Sequence, residues 1–128
     1  MSDGEARYHI KVGTEVFYVP EQSEPLQHRF VFAYRITLQN LGALPARLLS
    51  RHWIITDANG EIREVRGDGV VGEQPLIEPE GRYQYTSGSM LETPVGSMRG
   101  SYRMKAEDGH EFDAEIPAFT LAQPGVLN

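Results

Sequence analysis

From Phe30 to Gln39 the chain alternates without a break: Phe30, Phe32, Tyr34, Ile36 and Leu38 fall on one face, Val31, Ala33, Arg35, Thr37 and Gln39 on the other. A period of two, sustained with aromatic and β-branched side chains, predicts a strand with one buried face. On a helix the same five residues would scatter around the axis. Asn40-Leu41-Gly42 then signals a turn. Similar runs recur at Ile10 to Val19 and at Leu48 to Thr56. The second leads through Asp57-Ala58-Asn59-Gly60 into a returning strand, Glu61 to Arg66. A short strand is expected around Tyr83 and Tyr85. Ser101 to Ala106 and Glu111 to Ile116 alternate on either side of the turn Glu107-Asp108-Gly109. No segment carries a helical period with caps, and eight prolines and thirteen glycines punctuate the chain instead. The pattern predicts an all-β, antiparallel β-sandwich of about seven or eight strands, with closure into a barrel as the alternative.

Composition narrows the reading. The 128 residues suit one domain, 1–128, with an ordered core of about 8–123; the first seven residues and the tail after Pro124 are expected to be less ordered. With 40% apolar and 23% charged residues the chain is of ordinary globular make-up. There is no cysteine, which excludes disulfides and thiolate metal sites and fits a reducing compartment. A net charge of −6 disfavours nucleic acid as a partner. No apolar run approaches the roughly 20 residues of a membrane span, and the first residues, MSDGEARYHI, lack the basic-then-apolar order of a secretory signal. A cytoplasmic protein is the expectation.

The candidate chemistry lies in "EVRGDGVVGEQP". Gly67-Asp68-Gly69-Val70-Val71-Gly72 is a literal G-x-G-x-x-G. In a dinucleotide fold that pattern ends a parallel strand and opens a helix whose N-terminus meets pyrophosphate. Pro75 and Pro79 follow too closely for such a helix, and no βαβ context surrounds the motif. The glycines are therefore expected to shape a loop crossing between sheets, supplying positive φ and close backbone approach. An anion in a backbone nest would be opposed by Asp68 and Glu73 and aided by Arg63 and Arg66. The four histidines, His9, His28, His52 and His110, show no metal-ligand spacing, and the serines form no nucleophile elbow. "TSGSMLETPVGSMRGSY" reads as a long connection with its own turns. Glu78 and Glu80 read as a solvated turn. Trp53 is expected in the core of a central strand, with Arg51 and His52 partly exposed on the opposite side. "IPAFTLAQP" is expected to cap the sandwich or to offer an apolar contact through Phe119 and Leu121.

"RFVFAYRITLQNLG", "LLSRHWIITDANG", "EVRGDGVVGEQP", "YTSGSMLETPVGSMRGSY" and "IPAFTL", in this order and from about Tyr8 onward, resemble the ApaG, or CorD, family. The resemblance implies a fibronectin type III-like sandwich. It also implies a small bacterial protein whose family names reflect an operon shared with a diadenosine tetraphosphate hydrolase and a link to cobalt resistance and magnesium efflux. Related domains in eukaryotic F-box and polymerase-delta-interacting proteins imply a protein-interaction role. The family's glycine motif, for which pyrophosphate binding has been suggested, carries over onto Gly67, Gly69 and Gly72. Asp68 stands where the family more often has Glu, and Pro79-Glu80-Gly81 where Pro-Gly is expected.

Two functions follow as expectations. The first is a non-enzymatic module contacting another protein through Gly67 to Gln74 and Ser87 to Arg99, with no catalytic residue, cofactor or metal site. A sheet edge also stands open to a partner strand or a second copy. The alternative is a binder of a dinucleotide polyphosphate, pyrophosphate or divalent cation at Arg66, Gly67, Asp68, Gly69, Val70, Val71 and Gly72.

Overall fold

The computed structural model describes residues 7–126. The expectation of looser order at the termini therefore falls mainly outside them, on residues 1–6 and 127–128. Eight strands follow in order: β1 Ile10–Tyr18, β2 Phe30–Asn40, β3 Ala46–Asp57, β4 Ile62–Asp68, β5 Leu76–Ile77, β6 Arg82–Leu91, β7 Val95–Ala106 and β8 Glu111–Ala122. They form two antiparallel sheets, β1-β2-β6 and β4-β3-β7-β8, with β5 also paired to β3. Two 3₁₀ turns, Pro20–Gln22 and Pro25–Gln27, join β1 to β2.

The alternation in β2 decides the packing. Phe30, Phe32, Tyr34, Ile36 and Leu38 are all buried, and they meet Leu48, Trp53 and Ile55 of β3 and Met98, Tyr102 and Met104 of β7. Trp53 is central, as its neighbours suggest, with Tyr34 5.3 Å and Phe119 5.9 Å from its ring. Buried Asn40 ties the β2 turn to β5. Its Nδ2 donates to the carbonyls of Leu44 (2.8 Å) and Ile77 (2.9 Å), and its Oδ1 accepts from the Gly42 N–H (2.9 Å). β1 packs against β8 and closes one flank; on the other, β4 and β6 stand apart across a cleft.

Three sequence expectations are corrected. The serine-rich segment is not a long connection: it is the body of β6 and β7 joined by a tight turn at Glu92–Pro94. Two of its glycines, Gly96 and Gly100 on β7, are packing devices. A Cβ at Gly100 would lie 2.0 Å from the His52 carbonyl oxygen, and one at Gly96 2.5 Å from that of Thr56. Weak strand formers thus mark close approach of neighbouring strands, not irregular chain. The carboxyl-terminal "IPAFTLA" continues β8 as paired strand rather than capping the end. The glycine loop, finally, does not cross between sheets. β4 and β5 both pair with the same edge of β3, so residues 69–75 are an excursion within one sheet, and the crossing comes later, between β5 and β6.

That later crossing contains Glu78-Pro79-Glu80-Gly81, closed by a Gly81 N–H to Glu78 carbonyl bond of 2.8 Å. Glu80 there has φ +67, the position that a type II turn reserves for glycine. The departure from Pro-Gly noted in the sequence therefore leaves the turn in place with a strained glutamate in it.

Candidate functional site

Each glycine of the motif has its own structural cause. Gly67, on β4, faces Arg51 of β3 across the ladder. A Cβ on Gly67 would sit 2.7–2.9 Å from the Arg51 guanidinium atoms, so its absence is what lets that side chain lie across the strand. Gly69 has φ +59, and a Cβ there would come within 2.2 Å of the Glu73 carbonyl oxygen. Gly72 has φ +83 and open space around it. Val70 and Glu73 bond each other both ways, at 2.8 and 2.9 Å, around Val71 (φ +43) and Gly72. Positive φ at both central residues makes this a two-residue hairpin turn of the I′ kind. The fingerprint thus encodes a miniature hairpin. Its backbone N–H groups at Gly69, Val70 and Glu73 are already bonded to protein carbonyls.

The hairpin is fixed at its base and exposed at its tip. Val70 is buried between the sheets, the Gly69 N–H donates to the Leu49 carbonyl at 2.8 Å, and Gln74 Nε2 donates to the same carbonyl at 2.8 Å. Val71 projects with 58% exposure. A β-branched residue in the left-handed region is a backbone outlier, held there by its surroundings.

Arg51 is the residue that sequence reasoning misplaced. It lies on the same side as Trp53, not opposite it, while His52 alone faces out. The cause is the period of two itself, since residues two apart on a regular strand share a face; a β-bulge sets that face apart from the start of β3. The β3–β7 register shifts between Leu48 and Ser50, so Leu49 is an extra residue, and the inward set changes from Ala46 and Leu48 to Arg51, Trp53 and Ile55. The slip separates Arg51 from the face that Leu48 would lead one to expect, while alternation keeps it with Trp53. Its Nη1 donates to the carbonyls of Asp68 and Gly69, both at 2.9 Å. Among the described residues no carboxylate pairs with it, and its Nε and Nη2 have no protein acceptor.

Arg51 lines a cleft between β4 and β6. One section, about 310 Å³, is walled by Trp53, Val65, Ser87, Met90 and Met98; the other, about 300 Å³, reaches the hairpin at Val70–Gly72 and touches Tyr34 and Tyr85. Arg63 spans the far end, donating to the Met90 carbonyl at 3.1 Å. The Trp53 Nε1–H is buried without a partner among the described residues. The hydroxyls of Tyr85 and Tyr102 bond each other at the inner end. Burial holds both far above the ordinary tyrosine pKa, and it raises Tyr34 as well.

A second concavity, about 530 Å³, lies on the outer face of the β3 sheet along Ser50, His52, Arg66, Ser101 and Arg103. Arg51 borders it as well, but its outward-facing cations have carboxylate partners. His52 Nε2 meets Glu64 at 2.8 Å, Arg103 reaches Glu111 and Asp113 at 3.2 Å each, and exposed Arg66 lies 4.0 Å from Glu64. Arg66 therefore stands on the opposite face of β4 from the cleft, and the arginine brought to the glycine carbonyls is Arg51. Among the described residues no three His, Asp or Glu side chains are grouped as a metal ion would need, and no helix is long and apolar enough to cross a membrane.

Comparison with known proteins agrees with the fold. A family model described as the ApaG domain matches residues 20–106. Protein ApaG of Aromatoleum aromaticum is 59% identical over 128 residues, the full length of both chains. Protein ApaG of Pseudomonas aeruginosa is also 59% identical over 128 residues and complete in both. A crystal structure of a Bordetella pertussis protein described as ApaA superimposes with a TM-score of 0.91 at 48% identity, covering 94% of this chain and 98% of that one. Sandwich and relatives agree over the length of the domain, and the chain belongs to the ApaG family.

Proposed function

We propose that this domain is a non-catalytic binding module that contacts another protein through the hairpin Val70–Glu73. One observation carries the reading: the exposed tip holds a valine at φ +43. Asparagine would occupy that turn position with less strain and with better hydration. Keeping a strained, water-facing valine costs about 1 kcal/mol, and strain of this kind collects where a side chain is used for contact. The support beneath is rigid, because Val70, the Leu49 carbonyl and Gln74 fix the base of the hairpin. Exposed Leu76, just beyond the loop, extends the apolar character of this edge. Any part in cobalt or magnesium handling would run through such a partner.

The test compares wild type with Val71→Asn in quantitative capture from the host's lysate at native abundance, with partners identified by mass spectrometry. The variant should be more stable by about 1 kcal/mol yet lose the specific partner. A variant that captures the same partner equally well would refute the proposal.

A further inference from the structure

We propose that the cleft between β4 and β6 is a binding site for a small carboxylic acid with an apolar body, its carboxylate seated on the free edge of Arg51. The site lies beneath the glycine hairpin, and its apolar section, walled by Val65, Met90 and Met98, does not include Val71, the residue proposed for contact at the tip.

The argument begins with satisfaction of donors. An inward-facing guanidinium has five N–H groups. Nη1 of Arg51 is engaged by the Asp68 and Gly69 carbonyls, which fixes the plane of the group and leaves Nε and Nη2 side by side. That edge matches the two oxygens of a carboxylate in a bidentate pair. A half-buried cation with no carboxylate of its own is poised for an anion from outside, because the cost of holding it is already met by the fold. The Trp53 N–H is a second unsatisfied donor on a residue of the same wall. The tyrosine and serine hydroxyls of Tyr34 and Ser87 stand opposite, across the cleft.

The shape selects the rest of the ligand. Val65, Met90 and Met98 form an apolar wall beside the arginine, and Arg63 closes the far end against the Met90 carbonyl. A cleft section of about 310 Å³ is at the small end of ligand pockets. Methionine side chains adapt to flat or irregular apolar groups. The chain's net charge of −6 repels polyanions more than monoanions, so a single carboxylate fits better than a polyphosphate.

Trp53 is the chain's one tryptophan, so its fluorescence reports directly on the cleft. The probe is 3-phenylpropionate, with neutral 3-phenylpropanamide and inorganic phosphate as controls, titrated to about 50 mM at constant ionic strength. The acid is expected to give a saturable change with a midpoint of roughly 10 mM or lower, with neither control matching it. Arg51→Gln should weaken the response roughly tenfold or more. Ser87→Phe fills the cleft without touching the Arg51 hydrogen bonds and should do the same, which covers the case in which the arginine variant does not fold. The assignment is overturned by an equal response to the amide or to phosphate, by a wild-type midpoint in either folded variant, or by no saturable change with the acid. None of these results bears on Val71.

Discussion

Replacing the three motif glycines one at a time by alanine separates three physical roles that the sequence pattern merges. At Gly72 the added methyl meets nothing within 4 Å, so the cost is only that of holding an L-residue at φ +83, about 1 kcal/mol. At Gly67 the methyl would sit 2.7 Å from Nη2 of Arg51, the mobile end of a long side chain. The guanidinium can swing away, but it then gives up the bonds to the Asp68 and Gly69 carbonyls, a loss of about 2 kcal/mol. At Gly69 the methyl would lie 2.2 Å from a carbonyl oxygen and 2.9 Å from its carbon, both backbone of Glu73. Relief needs a backbone shift of about 1 Å, enough to break the paired Val70–Glu73 bonds and unseat buried Val70. At about 1 kcal/mol per bond and about 2 kcal/mol for the valine, with the positive-φ cost added, the loss is roughly 4–5 kcal/mol. Urea unfolding followed by circular dichroism reads the order. With an m-value of roughly 2 kcal/mol/M, the midpoints should fall by about 0.5 M for Gly72→Ala, about 1 M for Gly67→Ala and about 2 M for Gly69→Ala. Equal losses at Gly72 and Gly69 would refute the reasoning, because strain alone would then account for both. Unchanged stability in all three, with loss of nucleotide binding, would restore the dinucleotide reading.

Other predictions rest on buried polar groups and turns. Tyr85 and Tyr102 have folded pKa values raised above the unfolded value near 10. Their contribution is whole below that value and is lost as pH rises, so stability should decline above about pH 10 by up to about 1.4 kcal/mol per pH unit for each. Tyr102→Phe should flatten that decline by one tyrosine's share in urea titrations at several alkaline pH values, and an unchanged slope would contradict the assignment. Asn40→Ala removes three hydrogen bonds to backbone groups and should cost about 3 kcal/mol in chemical denaturation. A loss below about 1 kcal/mol would mean that water replaces the side chain. Glu80→Gly relieves a left-handed glutamate and should raise the thermal midpoint, equivalent to at most about 1 kcal/mol. A lowered midpoint would mean that the Glu80 side chain contributes more than its strain costs.

The strand count, the buried face of β2 and the central tryptophan were legible in the sequence, because a period of two is a local property and the side chains that keep it are strand formers. The absence of a helix after the glycine motif was legible too, since Pro75 and Pro79 forbid one by chain geometry alone. β6 and β7 were harder to see. Their glycines and serines depress strand propensity, and for β7 the reason its glycines are small, contact with the backbone of β3, lies more than 40 residues away in the chain for Gly100 against His52. Arg51 shares a face with Trp53 by the same period of two; what tertiary structure alone decided is that Leu48 keeps a different register. One extra residue at Leu49 reverses the inside and outside of β3, and nothing in the order of residues there announces a bulge. The same holds for the separation of Arg66 from the cleft and for the gap between β4 and β6, which exist only once two sheets are stacked and one flank is left open. The alternation of residues fixes which face a strand buries; register, bulge and stacking fix what that face meets.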